Sequence, residues 1–597
     1  MYQINFTDEN LKAIKAESGQ NLLTLLQAND ITINAVCNGR KSCGNCKVKI
    51  SAGNFQLTES EKQLLTKKEI KNGVRLACCQ QVRDDLTLEI FRQKEFKVLT
   101  TTKEDSTLFN PLIRVQRINL AKDSKSDDLL AEIYNKTNCK EIDSRAILDL
   151  DSLTLEQEVR VLKLREEIIE LTNNSKKSIY GLAIDIGTTT IAIYLMDLST
   201  GEEIDNYSLQ NPQYKFGADV ISRIDYGLKN EDNLAELQKV LLSAINQGIN
   251  NLVNRNKIQK ADIYLASFVG NTVMIYTLLK LKLSGLAKAP YQLLFSSDLE
   301  LAADRFDLAI NQRGVIEIPP LISAYVGADI MADLLAVRID KQTEWVLIID
   351  IGTNGEIVLA KEGRVFACST AAGPAFEGAN ITFGQAAVAG AISNYKIKDK
   401  RIDYKTIAGK KATGICGSAL IDIIAELYRY GFIDSKGAFI KKDSLEPWQQ
   451  ERVVQQEQLA YIVLSQAEGA TRDILLTQKD IREFQLAKGA ILAGVNLLLK
   501  QVEISKAEIK EVYLSGGFGN YIDLNNAYVL NLLPKEFKTK LELLGNGAAR
   551  GAKLYLKEQD FKMLARRIKE NTEYLDLAAA DNFQQEFMQT LNFTKEG

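Results

Sequence analysis

Two segments far apart in the chain share one pattern, an apolar run that ends in aspartate and leads directly into a small polar turn. Residues 181–190 read GLAIDIGTTT and residues 345–356 read WVLIIDIGTNGE. The two copies carry Asp, Gly and Thr at matching places: Asp185, Gly187 and Thr188 in the first, and Asp350, Gly352 and Thr353 in the second. Each copy predicts a buried strand, a tight turn and a returning strand. A repeat on this scale predicts two related α/β halves that face each other.

The composition of the two turns is typical of a phosphate site. Glycine lets backbone N–H groups approach an anion closely, and a threonine hydroxyl donates to it. A carboxylate at the end of a strand holds Mg²⁺ through water. We therefore expect the two turns to bind the phosphates of one nucleotide from opposite sides. The alternative is a pair of ordinary hairpins, which does not explain why both turns carry the same Asp and Thr.

Further glycine-rich turns follow predicted strands. Gly270 and Asn271 precede an apolar helix, the pair Gly516 and Gly517 ends a strand, and residues 544–552 open another helix. A strand that ends in Gly-Gly and feeds a helix lays flat backbone against an adenine or ribose. Each turn is a weak signal alone, because most glycine-rich turns only reverse the chain.

Composition excludes several partners and several kinds of chemistry. The chain has 597 residues, 25% of them charged, and a formal net charge of −3, so neither nucleic acid nor an anionic membrane is expected as a partner. No apolar run reaches the roughly 18 residues that span a bilayer. The start of the chain has no signal-peptide pattern, so a cytoplasmic location is expected. Histidine is absent, which excludes His-based acid–base catalysis and His-ligated metals.

Five of the eight cysteines lie in the first 79 residues. Three follow the spacing C-x5-C-x2-C and two are adjacent further on: Cys37, Cys43 and Cys46, then Cys78 and Cys79. This spacing is close to the plant-type ferredoxin pattern of a [2Fe–2S] cluster. A structural zinc site and free thiols are the alternatives, but zinc ribbons usually pair two C-x2-C motifs. From spacing alone, either Cys78 or Cys79 completes the ligand set.

The first 98 residues predict a β-grasp domain. The pattern indicates a hairpin, a short helix and two later strands, with the cysteine loop between the helix and the third strand: residues 2–6, 11–16, 21–29, 47–51 and 86–91. This domain resembles ferredoxins of the adrenodoxin-like spacing class. In the ferredoxin phrase Arg-Leu-Ala-Cys the first cysteine is the ligand, so the resemblance makes Cys78 the fourth ligand and Cys79 a packed neighbour.

A linker is predicted over residues 99–120 and a small middle domain over 121–178. Charged and apolar residues alternate over 155–171, which predicts an amphipathic surface helix. No clear strand pair is predicted before Ile179. The middle domain is interpreted as a packing or dimerisation element.

The duplicated turns and the Gly-Gly turn together resemble the actin-like, ribonuclease H-like ATPase superfamily, the class of sugar kinases, Hsp70 and actin. That resemblance implies an ATPase domain over 179–597, with halves at about 179–336 and 343–597, that binds ATP and Mg²⁺. The implied nucleotide contacts are glycine backbone and neighbouring polar side chains: Gly187, Thr188, Thr189, Gly270, Asn271, Gly352, Thr353, Asn354, Gly516 and Gly517.

Three more segments are similar to signature segments of the reductive activators of corrinoid-dependent proteins. They read AGPAFEGA at 372–379, GICGSALID at 414–422 and DIREFQLAKGA at 480–490. The order of modules, ferredoxin then middle domain then ATPase, is also that of the family. The resemblance implies a homodimer that receives electrons from a low-potential donor. It implies that ATP hydrolysis drives one electron from a [2Fe–2S] cluster to the Co(II) form of a corrinoid protein, which regenerates Co(I).

This interpretation assigns roles to individual residues. The cysteine set carries the electron: Cys37, Cys43, Cys46 and Cys78. Asp185 and Asp350 position Mg²⁺ and the attacking water, and Glu356 and Glu377 are candidates to orient that water, although a salt-bridged or capping role is equally open. Three alternatives are a small-molecule kinase with a redox-sensing ferredoxin domain, a simple electron carrier, and an ATPase activator of another low-potential enzyme.

Overall fold

The computed structural model describes the chain except residues 9–10, 30, 32, 34–40, 42–45, 66, 91–109, 121–127, 155–156, 175–177, 379, 457, 517–521, 581 and 594–597. The chain divides into two units. One unit comprises residues 1–96, 381–416 and 441–478, and the other comprises residues 97–380, 417–440 and 479–597.

The amino-terminal part of the first unit is a five-stranded sheet with three short helices. The elements are β1 Tyr2–Phe6, β2 Ile14–Ala16, α1 Leu22–Ala28, β3 Lys47–Ala52, α2 Glu59–Leu64, α3 Lys67–Lys71, β4 Val74–Leu76 and β5 Leu86–Ile90. The strand order is β2-β1-β5-β3-β4, in which β1 is parallel to β5 and the other pairs are antiparallel. Apolar side chains such as Ile4, Leu22, Val48 and Leu88 form the core. The predicted β-grasp is confirmed.

A four-stranded sheet with one helix follows in the second unit. Its elements are β6 Ile113–Asn119, α4 Leu129–Thr137, β7 Glu141–Ile142, β8 Glu158–Leu164 and β9 Glu167–Thr172, and the strand order is β6-β8-β9-β7. The predicted linker over 99–120 is therefore wrong at its carboxyl end, where β6 lies.

The helix predicted over 155–171 is also wrong, as is the absence of a strand pair before Ile179. The described residues there form the antiparallel pair β8–β9, which reverses at Arg165 with a left-handed φ of 55°. Val159 and Val161 are buried, and such β-branched side chains favour strands. The turn carries no glycine or asparagine, so the usual local sign of a hairpin is missing.

The first half of the repeat is a six-stranded sheet covered by helices. Its elements are β10 Tyr180–Ile186, β11 Thr190–Asp197, β12 Glu203–Gln210, α5 Val220–Leu228, α6 Glu231–Asn256, β13 Ile263–Gly270, α7 Thr272–Leu278, α8 Ser284–Ala287, β14 Leu299–Ala302, β15 Val315–Ile318 and α9 Ala328–Ala336. The strand order is β12-β11-β10-β13-β15-β14.

The second half repeats this sheet. Its elements are β16 Trp345–Ile351, β17 Gly355–Lys361, β18 Arg364–Thr370, then α10 Gly417–Arg429, α12 Gln478–Gln501, β25 Ile509–Ser515, α13 Leu524–Val529, β26 Leu541–Gly545, α14 Gly547–Lys557, α15 Gln559–Glu570, β27 Thr572–Tyr574 and α16 Phe583–Thr590. The strand order is β26-β25-β16-β17-β18-β27. In both halves an antiparallel meander is joined to a parallel strand, which confirms the duplicated α/β fold.

Two three-stranded sheets interrupt the second half and belong to the first unit. They contain β19 Ala391–Lys398, β20 Arg401–Thr406 and β21 Gly414–Ile415, and then α11 Pro447–Gln450, β22 Val453–Gln455, β23 Leu459–Leu464 and β24 Ile474–Thr477. The strand orders are β20-β19-β21 and β22-β23-β24. Among the described helices, none is long and apolar enough to cross a bilayer.

The backbones of helices α9 and α14 are in contact where the two helices cross. A Cβ atom added to Gly551 on α14 would lie 1.9 Å from the carbonyl oxygen of Ala332 on α9. Glycine at this place is therefore required by the approach of the two helices. The crossing joins an element of the first half to an element of the second.

Candidate functional site

Asp185 and Asp350 occupy equivalent places at the carboxyl ends of the central strands β10 and β16. Asp185 is in register with Val269 on β13, and Asp350 with Ser515 on β25. The Nδ2 atom of Asn546 donates to Asp185 Oδ2 at 3.0 Å. Burial raises the pKa of Asp185 to about 6, and the charge of Asp350 contributes in the same direction. The two copies of the motif therefore place their carboxyls within electrostatic reach of each other.

The glycine of each turn donates a backbone hydrogen bond within the turn, and the first turn also leaves no room for a side chain at its glycine. The N–H of Gly187 donates to the carbonyl of Thr190 at 2.9 Å, and the N–H of Gly352 donates to the carbonyl of Asn354 at 3.0 Å. A Cβ atom on Gly187 would lie 2.7 Å from the carbonyl oxygen of Thr190. Both turns are therefore closed by a hydrogen bond from the glycine N–H, which spans three positions in the first turn and two in the second.

Glu377 connects the two turns. It ends the short 3-10 helix Pro374–Glu377. The Thr353 hydroxyl donates to Glu377 Oε1 at 2.8 Å, and the Thr189 hydroxyl donates to Oε2. Burial raises the pKa of Glu377, and the two threonine hydroxyls and Arg223 act against that rise. One carboxyl group thus holds a hydroxyl from each half.

Arg223, which sequence reasoning missed, supplies a buried positive charge beside Glu377. Its Nη2 donates to the carbonyl of Thr188 at 2.5 Å, and its Nε donates to the carbonyl of Gly217 at 3.0 Å. Burial lowers the pKa of Arg223 to about 10, and the charge of Glu377 opposes that fall. An arginine inside an apolar helix face of α5 is the signal that would have identified it.

Two further acids were missed by sequence reasoning, Asp329 and Asp333 on α9. Burial raises the pKa of Asp329, and the charge of Asp350 adds to the rise. Asp333 is completely buried, and its Oδ1 accepts from the Ser515 hydroxyl at 2.9 Å. Burial also raises the pKa of Asp333 well above its ordinary value. Two acids four residues apart in an otherwise apolar helix are the signal that would have found them.

Glu356 faces the same group of acids. It is buried, and burial together with the charges of Asp329 and Asp350 raises its pKa well above the ordinary value. A hydrogen bond with Asn354 acts in the opposite direction. Burial and the neighbouring charges therefore favour the protonated form of Glu356.

The remaining predicted nucleotide contacts have different surroundings. Asn271 caps α7, because its Oδ1 accepts from the N–H of Val273 at 3.1 Å. Gly270 packs on the first turn, since a Cβ atom there would lie 2.7 Å from the carbonyl oxygen of Ile186. Gly516 has a φ of +96° and lies against Asp350, with 2.8 Å between an added Cβ and Asp350 Oδ1. Gly517 lies outside the described residues.

The acids of this region fit a magnesium nucleotide. Burial raises the pKa of all six: Asp185, Asp329, Asp333, Asp350, Glu356 and Glu377. A divalent cation relieves such crowding of negative charge. No group of acids in the described part of the chain forms a ready-made metal cage. Mg²⁺ keeps several waters and binds through one or two carboxylates plus phosphates.

The cysteine site is described in part. Cys46, just before β3, and Cys78, just after β4, are both buried, and the N–H of Cys78 donates to Cys46 Sγ at 3.5 Å. A backbone N–H that points at a cysteine sulfur fits a thiolate-bound cluster. Cys37 and Cys43 lie outside the described residues.

Cys79 lies beside Cys78, with 3.8 Å between the two Sγ atoms. Burial raises the pKa of Cys79 to about 12, and the neighbouring Cys78 adds to the rise. This raised pKa disfavours the thiolate form of Cys79 when no metal is bound.

Glu61 anchors the turn that carries Cys78. Its buried carboxylate accepts from the N–H of Leu76 at 2.8 Å, from Gln80 Nε2 at 2.7 Å and from the Thr58 hydroxyl at 2.9 Å. These bonds join the start of α2 to both ends of the Cys78 turn. Sequence reasoning missed this residue, although the phrase Thr-x-x-Glu is a capping-box pattern.

Comparison with known proteins agrees with this arrangement. Residues 344–597 match the family model described as the C-terminal domain of RACo, the ASKHA domain. Residues 180–342 match the RACo middle region, and residues 6–83 match a 2Fe-2S iron-sulfur cluster binding domain. The corrinoid activation enzyme RamQ of Eubacterium limosum is 32% identical over 579 residues, which cover 94% of each chain. This chain belongs to the family of corrinoid reductive activators.

A solved structure supports the same family assignment. The structure titled reductive activator for corrinoid,iron-sulfur protein has a TM-score of 0.75 and 30% identity, and the match covers 99% of this chain and 98% of that one. The reductase of a Co(II) methylated amine-specific corrinoid protein from Methanosarcina barkeri is 24% identical over 457 residues, 70% of this chain and 78% of its own. The predicted order of a ferredoxin domain before an actin-like ATPase is confirmed.

Proposed function

We propose that this activator uses ATP to drive one electron from a [2Fe–2S] cluster to the Co(II) form of a corrinoid protein, which returns it to Co(I). The observation that carries the proposal is that one chain holds both a buried cysteine pair, Cys46 and Cys78, and two phosphate turns joined by Glu377. RamQ, which matches almost the whole chain, is itself a corrinoid activation enzyme.

The electron side of the proposal rests on the cysteines. When bound, a [2Fe–2S] cluster supplies single electrons, and its ligands are Cys46 and Cys78 together with Cys37 and Cys43. The N–H of Cys78 that donates to Cys46 Sγ stabilises thiolate charge at that sulfur. Glu61 holds the Cys78 turn in place through the N–H of Leu76.

The nucleotide side rests on the two turns. Asp185 and Asp350 hold the waters of Mg²⁺. The backbone of the glycines and the polar side chains of the turns donate to phosphate oxygens: Gly187, Thr188, Thr189, Gly352, Thr353 and Asn354. Gly270, Asn271, Gly516 and Gly517 shape the remainder of the nucleotide pocket.

Glu377 is a better candidate than Glu356 to orient the attacking water. Burial and the charges of Asp329 and Asp350 raise the pKa of Glu356, which favours its protonated form and makes it less available to accept a proton from water. Glu377 faces Arg223 and two hydroxyl donors, all of which favour its ionised form. Glu377 also contacts both turns, so closure of the two halves on phosphate changes its hydrogen bonds to Thr189 and Thr353.

ATP is needed because reduction of Co(II) is uphill from an ordinary ferredoxin. For a one-electron couple, each 59 mV of unfavourable gap is about a tenfold penalty in the equilibrium constant. A change of the activator between nucleotide states alters its complex with the corrinoid protein and offsets that gap. The α9–α14 crossing is the element of this chain that joins the two halves and so carries their relative movement.

The partners follow from this function. The acceptor is a corrinoid protein in its Co(II) form, and the electrons come from a low-potential donor in the cytoplasm. The four-stranded middle sheet is the candidate surface for a homodimer.

The test mixes the reduced activator with Co(II) corrinoid proteins, with and without MgATP, and follows the absorption of Co(I). Co(I) that forms only with MgATP supports the proposal. Equal formation without nucleotide would instead identify a simple electron carrier. Phosphorylation of a sugar or carboxylic acid in the absence of any corrinoid protein would identify a kinase.

A further inference from the structure

Arg223 on α5 is completely buried, and its guanidinium lies among acceptors around the first phosphate turn. Its Nη2 donates to the carbonyl of Thr188 at 2.5 Å, and its Nε donates to the carbonyl of Gly217 at 3.0 Å. Its Nη1 donates to Gln213 Oε1 at 3.3 Å and to Met274 Sδ at 3.2 Å. A buried guanidinium is costly even when acceptors compensate it, so its place beside the turn needs a reason other than stability.

A second buried side chain, Asn211, holds the two carbonyls that flank Thr188 in the sequence. Asn211 follows β12 directly and is completely buried. Its Nδ2 donates to the carbonyl of Gly187 at 2.9 Å, and its backbone N–H donates to the carbonyl of Thr189 at 2.8 Å. Together with the bond from Arg223, these contacts engage three consecutive carbonyls of the first turn from outside the turn.

The engaged carbonyls fix the direction of the N–H groups in the turn. In a trans peptide the C=O group and the N–H group of the next residue point in opposite directions, and the peptide bonds of this turn are trans. The N–H of Thr188 therefore points away from Asn211, and the N–H of Thr189 points away from Arg223. Within the described part of the chain, neither N–H donates to another backbone group. Two such N–H groups are the donors that a phosphate oxygen requires.

We propose that Arg223 is a positioning residue that, together with Asn211, holds the first turn so that the N–H groups of Thr188 and Thr189 point at a nucleotide phosphate. The inference rests on the proposed role of this turn in binding ATP. Arg223 acts through the turn, because all three of its side-chain nitrogens donate to protein atoms. The turn is therefore formed before the nucleotide arrives, which reduces the ordering that binding must impose.

The test compares Arg223→Met with wild type in the full-length protein. Methionine keeps much of the volume of the buried side chain and removes every donor. Arg255→Met, which breaks an ion pair with Asp205 at the surface of the same half, is the matched control. Two quantities are measured: the ATP concentration that half-saturates the protein at a fixed excess of Mg²⁺, and the hydrogen exchange of residues 187–190 and 352–355 at saturating MgATP.

We expect Arg223→Met to raise the half-saturating ATP concentration by about tenfold or more, because the charge-assisted hydrogen bond that orients the turn is lost. At saturation, MgATP should slow the exchange of residues 187–190 less in this variant than in wild type, whereas the slowing over 352–355 should stay as in wild type. A general loss of packing would change both turns, so this difference separates positioning from a purely structural role. Arg255→Met should stay close to wild type in both measurements.

Asn211→Ala gives a readout even if Arg223→Met does not fold. This variant removes the donor to the carbonyl of Gly187 and leaves the bond from Arg223 to Thr188 in place. We expect a smaller rise in the half-saturating ATP concentration, with weaker slowing of hydrogen exchange confined to residues 187–190.

Wild-type values for Arg223→Met in both measurements would overturn the inference, as would wild-type values for Asn211→Ala where Arg223→Met does not fold. Equal weakening of the exchange protection in both turns would also overturn it, because Arg223 would then stabilise the fold and not orient the first turn. Failure of the wild-type protein to bind MgATP would be a failure of the proposed function itself and is seen before any variant is compared.

Discussion

Thr189 and Thr353, one from each copy of the Asp-Gly-Thr turn, donate their hydroxyls to opposite oxygens of the same carboxylate, Glu377. Thr189 and Thr353 are 164 positions apart in the sequence, from 189 to 353, yet share one acceptor. The two copies of the motif are thus linked by hydrogen bonds through Glu377 as well as similar in sequence. Phosphates that bind the same hydroxyls must rearrange this bridge.

Glu377→Gln should separate nucleotide binding from hydrolysis. Glutamine still accepts from one threonine, so ATP should bind, but it is a far weaker base, and hydrolysis should slow by about 100-fold or more. Single-turnover phosphate release and a nucleotide titration measure the two effects. Glu362→Gln, on the exposed β17–β18 turn, is the matched control. Hydrolysis at the wild-type rate in Glu377→Gln would remove this residue from the mechanism.

The adjacent cysteines should respond differently to replacement by serine. Cys78→Ser should lose the visible absorption and most of the iron and sulfide of the cluster, because a thiolate ligand is removed. Cys79→Ser should keep them, since the Cys79 thiol is a neighbour and not a ligand. Absorption spectra and iron and sulfide analysis of the two purified variants decide the matter. The reverse pattern would make Cys79 the ligand.

Asp185 should destabilise the nucleotide-free protein at neutral pH. Its pKa rises from 3.8 to about 6 on folding, so the folded protein binds this proton more tightly than the unfolded chain. The free energy of unfolding therefore falls as the pH rises from about 4 to about 6. Above that range the loss is complete and amounts to about 3 kcal/mol, because the pKa differs by roughly two units between the folded and unfolded protein.

Asp185→Asn removes this titration while it keeps an oxygen that accepts from Asn546. The variant should unfold at a higher urea concentration than wild type at about pH 7, with Mg²⁺ and nucleotide absent, and the gap should close near pH 4. A gap of the same size at both pH values would show that the raised pKa of Asp185 does not govern stability.

Much of the candidate nucleotide site could be predicted because the sequence patterns that mark it are local. Asp185 and Asp350 each end a strand and start a turn within a few residues, so a repeated motif is enough to find them. The same holds for the ferredoxin sheet, where alternation of apolar residues and the cysteine spacing lie in short segments.

Other residues depend on contacts that no local pattern reveals. Asp333 and Arg223 are on apolar helices, and their hydrogen bonds form only when Ser515 and Thr188 approach them from distant parts of the chain. Asn271, predicted as a nucleotide contact, caps a helix in this structure, and the prediction of a nucleotide contact stays a prediction. The β8–β9 hairpin was mistaken for a helix because its charged residues fall at a spacing that also fits a helix face.

We expect nucleotide binding at Asp350 to drive electron transfer from the cysteine site. The most direct measurement reduces wild type and Asp350→Ala to the same cluster absorption, adds a Co(II) corrinoid protein and MgATP, and records Co(I) with time. We predict that wild type forms Co(I) and that Asp350→Ala forms none above the level seen without nucleotide. Formation of Co(I) at the wild-type rate by a variant that binds no nucleotide would contradict it.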